Sequence, residues 1–262
     1  MFKQRLITSL ILAPLAIGLI IYANSWIFLL LMACLLFGMA YEWQQFVLLE
    51  AYKNKWFKTF LIFAGGVLVA KLANIFLYLD VLFWIIAAFL IIKYPKHSTC
   101  WFNSGFVSLV GWILLGVLVS ILYEWQATEI GVKLIFCVLF IVWSADIGAY
   151  LAGRKWGKNK MIPQVSPGKS WEGLLGGLSL ALMVAYLESF YFEDLALISW
   201  LIVSLITAIA SVFGDLWMSA LKRQVNLKDT GHLIPGHGGL LDRLDSLLAA
   251  VPVFYLGLKL LG

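Results

Sequence analysis

Charged side chains are scarce in this 262-residue chain: Asp, Glu, Lys and Arg make up 13% of it, against 63% hydrophobic residues. With a mean hydropathy of +0.95, that balance excludes an ordinary soluble domain. Cysteine is nearly absent too. Cys34, Cys100 and Cys137 are scattered and form no CxxC or Cys/His spacing, which excludes a disulfide framework and a zinc site. They read instead as small apolar side chains within helices. The apolar runs show no strict alternation with polar residues, so an outer-membrane barrel is excluded as well. Internal repeats and low-complexity tracts are missing.

What is present is a series of apolar runs near twenty residues long, the length at which a helix crosses a bilayer while satisfying its own backbone. They predict an all-α, polytopic transmembrane protein forming one integral membrane domain over residues 1–262, with about nine spans. The spans fall near 6–22, 26–46, 57–77, 81–94, 103–122, 131–152, 172–191, 195–221 and 239–261. Lys71 and Asp80 both interrupt the long apolar stretch that holds the third and fourth, and leave the division between them open. Lys3 and Arg5 ahead of the first run resemble a secretory signal, but Pro14 and the next run at Trp26 favour an uncleaved span. Trp101, Trp125 and Trp200, near span ends, read as interfacial anchors.

Basic residues orient this map. Sixteen of the 19 Lys and Arg fall at the amino terminus and in the even-numbered loops, leaving only Lys71, Lys133 and Lys259 opposite. The positive-inside rule then predicts a cytoplasmic amino terminus. Two polar loops face the cytoplasm on this map, 153–171 and 222–238. The cluster Lys53, Lys55 and Lys58 is read as contact with anionic headgroups.

Charge that enters the apolar segments is the less ordinary feature. A carboxylate near the bilayer centre costs about 2.5–3.5 kcal/mol on insertion scales, and such groups usually face a wet or cation-bearing cavity. Asp215, Ser219, Lys222 and Arg223 share one helix face, with Asp215 about 10 Å deeper than Lys222 at ~1.5 Å rise per residue. That arrangement suits a metal held below a phosphate; the plainer alternative is an internal ion pair of Asp215 with a neighbouring element. Asp242, Asp245 and Ser246 share a face at the start of the last span, where acids also suit the helix macrodipole. With Asp215 they could hold hard cations through oxygen. Gly236, Gly238 and Gly239 lead into that helix, and their backbone N–H groups could approach an anion. His237 could cap a carbonyl or meet a phosphate. Asp146 lies about 12 Å inside its helix end at the same rise, with Tyr150, Gly153 and Arg154 on its face.

In the loop before residue 172, Lys169 offers a point charge for phosphate and Glu172 enters the following helix. The run Gly168-Lys169-Ser170 is not a P-loop: the pattern needs glycine at 163, where Pro163 stands, and a preceding strand is not expected. Gly173 and Gly177 have the spacing of close helix packing.

These residues resemble a known family. The pattern SxxKRxxxxKDxxxxxPxHGGxxDRxD, filled from Ser219 to Asp245, is similar to the signature of phosphatidate cytidylyltransferases, or CDP-diacylglycerol synthases. The resemblance extends to SADIGAYLAGRKWGK at 144–158 and SPGKSWEG at 166–173. It is strong in the carboxyl-terminal half and limited to the presence of spans in the first hundred residues. It implies catalytic spans and loops over 131–262 behind amino-terminal spans over 1–130. It implies an enzyme that moves CMP from CTP to phosphatidate with magnesium, in the bacterial inner membrane, with its site facing the cytoplasm. Membrane lipids and a second copy of the chain are the implied partners, and nucleic acid is not. Set against that reaction, the co-facing of acids with basic residues assigns Asp215 and Asp242 as metal ligands, with Asp146 and Asp245 as further candidates. Lys169, Lys222, Arg223, Lys228, Asp229, His237 and Arg243 form the catalytic set. Ser166, Ser170, Ser219, Gly238 and Gly239 contact substrate.

Two alternatives remain at this stage. A related enzyme could use the same chemistry on another lipid phosphate, because lipid tails are read by apolar surfaces. An ion-coupled transporter would instead spread its acids across the bilayer and carry an inverted repeat; here the deep acids gather towards one side.

Overall fold

A computed structural model of the chain describes residues 2–48, 54–96, 101–192, 196–234, 236 and 238–261. Among these residues the backbone forms nine α-helices and one short hairpin. The helices are α1 (Phe2–Tyr22), α2 (Ser25–Trp43), α3 (Lys55–Lys71), α4 (Ala73–Ile92), α5 (Ser104–Gln126) and α6 (Glu129–Trp156). The strands β1 (Lys160–Ile162) and β2 (Ser166–Ser170) follow, and then α7 (Trp171–Ser189), α8 (Leu197–Gln224) and α9 (Leu241–Leu261).

Six stretches are long and apolar enough to cross a membrane: Ser25–Phe46, α4, α5, α6, α8 and α9. Large apolar side chains on their outer faces are bare in the isolated chain, among them Leu30, Ile85 and Ile198. That much exposed apolar surface suits a hydrocarbon solvent and not water. The protein is therefore a multi-pass, all-helical membrane protein.

The third and fourth helices divide elsewhere than expected. The expected boundaries were 57–77 and 81–94; the break falls at Leu72, where φ is −116° and ψ 23°, and the Leu72 N–H turns back to the Val69 carbonyl at 2.9 Å. Asp80 is a fully buried residue inside α4 and marks no boundary. A carboxylate costs solvation but leaves helical backbone geometry intact, so it is a poor punctuation mark. The anchoring role expected for three tryptophans also fails: Trp101, Trp125 and Trp200 are 6%, 6% and 1% exposed, packed within protein. Trp200 shows why, since its Nε1–H donates to the Ala185 carbonyl at 2.8 Å and its ring stacks on Phe192. An indole with its N–H satisfied is a large apolar group that needs no interface.

The chain divides into two compact units. The first comprises residues 1–76, 101–135 and 221–244. Its centre is the packing of α2 and α3 on α5, where Trp43 donates to the Val107 carbonyl at 3.0 Å and sets its ring edge-on to Phe46. The second comprises residues 77–100, 136–220 and 245–262. Here α7 lies directly on α6: a Cβ at Gly173 would come within 2.9 Å of the Ala149 carbonyl, and one at Gly177 within 2.5 Å of the Ala145 carbonyl. The GxxxG spacing thus performs the close packing expected of it.

Candidate functional site

In the second unit a short ribbon delivers a lysine to a helix. Strands β1 and β2 pair antiparallel, with Lys160 opposite Ser170 and Ile162 opposite Ser166. The ribbon is tied down at its base: Glu172 accepts from the Asn159 side-chain amide at 2.7 Å, and Trp171 N–H donates to the Asn159 carbonyl at 2.9 Å. Ser170 ends β2 and caps α7, its Oγ accepting from Gly173 N–H at 3.1 Å. The expectation of no strand near Gly168-Lys169-Ser170 is corrected, because these residues lie on β2 itself. They still make no P-loop, since a phosphate-cradling turn must lie between strand and helix.

From this ribbon Lys169 Nζ reaches Asp215 Oδ2 on α8 at 2.8 Å and the Val212 carbonyl at 3.3 Å. Ser219, one turn along α8, donates to Asp215 Oδ1 at 3.3 Å. Asp146 on α6 is exposed and interacts electrostatically with both Lys169 and Asp215. Helix α9 joins the same unit through a close backbone approach, a Cβ at Gly214 falling 2.6 Å from the Asp245 carbonyl. Asp245 Oδ1 accepts from Ser246 N–H at 2.8 Å. Asp215, Lys169 and Ser219 are therefore brought together, with Asp146 within electrostatic reach of the pair, while Ser166 serves the hairpin pairing.

Asp215, paired with Lys169 and with Asp146 within electrostatic reach, offers hard oxygen donors, and Lys169 stands where a cation would balance the charge. One or two carboxylates completed by substrate phosphates is the usual way a protein holds magnesium, so this set fits that ion. Among the described residues, no three or more His, Cys, Asp or Glu side chains converge as a complete metal cage.

In the first unit the chain leaves α8 through a left-handed turn. Asn226 has φ 56°, its N–H donates to the Arg223 carbonyl at 3.2 Å, and Leu227 N–H donates to the Lys222 carbonyl at 2.8 Å. This paired closure is the Schellman motif, with asparagine tolerating the left-handed position. Arg223, Lys228 and Asp229 are left exposed, as is Arg243. Lys222 is buried and pairs with Asp242 at 2.7 Å. The other oxygen of Asp242 accepts from Thr230 N–H at 2.7 Å and Gly239 N–H at 3.0 Å. The Gly239 N–H, expected to meet a phosphate, is thus given to the protein's own carboxylate. Gly238, at φ 86°, makes the turn before it. His237 lies outside the described residues.

One acid in this unit carries no expectation from the sequence. Glu42, at the end of α2, is 2% exposed. Its carboxylate accepts from Thr230 Oγ1 at 2.9 Å, Leu240 N–H at 2.9 Å and Leu241 N–H at 2.8 Å. The signal was available, since a carboxylate inside an apolar run is costly and calls for a partner.

A profile of the Cytidylyltransferase family matches residues 3–261. The chain is 36% identical over 269 residues to a phosphatidate cytidylyltransferase of Pseudomonas aeruginosa, covering 97% of this chain and 96% of the relative. It is 35% identical to the phosphatidate cytidylyltransferase of Haemophilus influenzae, with 97% of each covered. A shorter match, 38% identical over 169 residues, covers 63% of this chain and 62% of the protein of that name from Bacillus subtilis. With almost its whole length matched, the chain belongs to the cytidylyltransferase family.

Proposed function

We propose that this protein transfers CMP from CTP to phosphatidate, giving CDP-diacylglycerol and pyrophosphate for phospholipid synthesis. The observation that carries the reading is the end-to-end similarity to proteins named phosphatidate cytidylyltransferase. The acid–cation arrangements of both units support it. A phosphate oxygen of the lipid attacks the α-phosphorus of CTP, and the bond from that phosphorus to the bridging oxygen of the β-phosphate breaks. The electron pair leaves with pyrophosphate. A phosphate monoester is already a nucleophile, so no covalent enzyme intermediate is needed.

The difficulty is bringing two polyanions together, so catalysis rests on positioning and on cations fixed in advance. Lys169, held against Asp215 and the Val212 carbonyl, supplies one fixed charge. Lys222, held by Asp242, supplies another. Arg223, Lys228 and Arg243 are exposed at and beside the polar segment and would meet the outer phosphates, with Asp229 next to Lys228; Ser166 and Ser170 flank Lys169 on β2. Magnesium, when bound, neutralises charge on phosphate oxygens. Asp146 and Asp215 are the residues to hold it; Asp245 is the next candidate, and Asp242 would first release Lys222.

The reading includes nine spans, a cytoplasmic amino terminus, the inner membrane as location and a homodimer, whose test is the protein mass in detergent. A mass of one 29.4 kDa chain would remove the dimer.

Incorporation of labelled CTP by purified protein tests the activity. Phosphatidate should support label transfer to lipid, a chelator should abolish it, and added magnesium should restore it. Transfer to another lipid phosphate in preference, or none to any lipid, would overturn the proposal.

A further inference from the structure

Glu42 belongs to the half of the chain in which the sequence shows nothing but spans, yet its hydrogen bonds end on the signature segment. Both carboxylate oxygens are used: Oε1 by Leu240 N–H, and Oε2 by Leu241 N–H and Thr230 Oγ1. Leu241 is the first residue of α9 and Leu240 the one before it, so both N–H groups lie at the helix start, where no partner inside the helix is available. An anion at that end also meets the favourable end of the helix dipole. Gln45, one turn further along the chain, donates to the Thr230 carbonyl at 2.5 Å and to the Glu42 carbonyl at 2.7 Å. Space around the carboxylate is closed: a Cβ at Gly231 would lie 2.7 Å from Glu42 Oε1, and one at Gly239 would lie 2.6 Å from Oε2 and overlap Thr230 Oγ1.

The polar segment is thus fastened three times at Thr230, by Asp242, Glu42 and Gln45, and again at Leu240 and Leu241 where α9 begins. Lys228 and Asp229 lie immediately before these fastenings, and Asp242 and Arg243 immediately after them. We propose that Glu42, with Gln45 and Thr230, is a positioning latch that fixes this segment in the geometry the cytidylyl transfer requires. It touches no substrate itself. The latch rests on the proposed reaction for its catalytic consequence but not for its existence.

Removing an acceptor should loosen the segment and cost turnover more than binding, because displacement of a positioned group by about 1 Å can cost on the order of a hundredfold. Glu42→Gln keeps the volume but turns an amide donor towards donors. In purified protein it should lower kcat at least tenfold while the KM for CTP changes less than threefold, with the melting midpoint of the folded protein retained. Thr230→Val should behave alike, and Thr230→Ser, which keeps the hydroxyl, should stay within twofold of wild type. Hydrogen exchange at the Leu240 and Leu241 amides should quicken in Glu42→Gln. Should Glu42→Gln fail to fold, the contrast between Thr230→Val and Thr230→Ser decides the question. Wild-type kcat in Glu42→Gln or Thr230→Val overturns the latch, and so does a loss that merely tracks the unfolded fraction. If the wild-type protein makes no CDP-diacylglycerol, the proposed reaction falls by itself. Exchange then judges the fastening alone, unchanged rates overturning it and faster rates upholding it.

Discussion

Lys222→Met removes a charge while keeping most of the side-chain volume, and it strands Asp242. The two side chains are 11% and 8% exposed, and their charged atoms lie 2.7 Å apart. Breaking a buried pair by deleting one member costs about 3–5 kcal/mol, because the remaining charge is left uncompensated. Asp242 keeps two backbone N–H donors, from Thr230 and Gly239, which places the expected loss near the lower end, about 3 kcal/mol. For a chain of this size that corresponds to a fall in melting midpoint of about 6–12 °C. The 12 tryptophans make intrinsic fluorescence in detergent a direct assay. Adding Asp242→Asn should recover about half the loss, since the stranded charge disappears while an amide oxygen can still accept one or both N–H groups. A midpoint shift under about 2 °C for Lys222→Met, or a further fall on adding Asp242→Asn, would refute the view of these residues as a buried, mutually dependent pair.

Two further outcomes follow from the proposed site and topology. Asp215→Asn removes the charge that Lys169 answers, and magnesium-dependent turnover should fall at least about a hundredfold, the scale of losing one electrostatic contact at a reacting centre; unchanged magnesium dependence would remove Asp215 from the ion's ligands. A cysteine at the exposed Lys158 should resist a membrane-impermeant thiol reagent in intact cells and react after permeabilisation, and labelling of intact cells would reverse the proposed orientation.

The helices were legible because hydrophobic run length is a strong signal, and Gly173 and Gly177 were legible because small residues one turn apart mark a close crossing. The association of Asp146, Lys169 and Asp215 was partly legible: helical spacing exposed the acids, whereas the ribbon that carries Lys169 to α8 depends on pairing between Lys160 and Ser170 that no local pattern announced. The tryptophans misled because burial is a tertiary outcome, and position near a span end does not decide it. Glu42 escaped notice because its partners lie 188 to 199 residues away in sequence. Spacing within one helix carries no trace of such a contact.

That long-range contact bears on how the polypeptide can be cut. A fragment starting after α4 would retain every residue of the sequence signature but leave the opening amides of its last helix without the acceptor that α2 supplies. Glu42 is buried in the protein, where losing an acceptor leaves its donors unsatisfied, so α2 is an integral part of the fold of the signature segment rather than a detachable anchor.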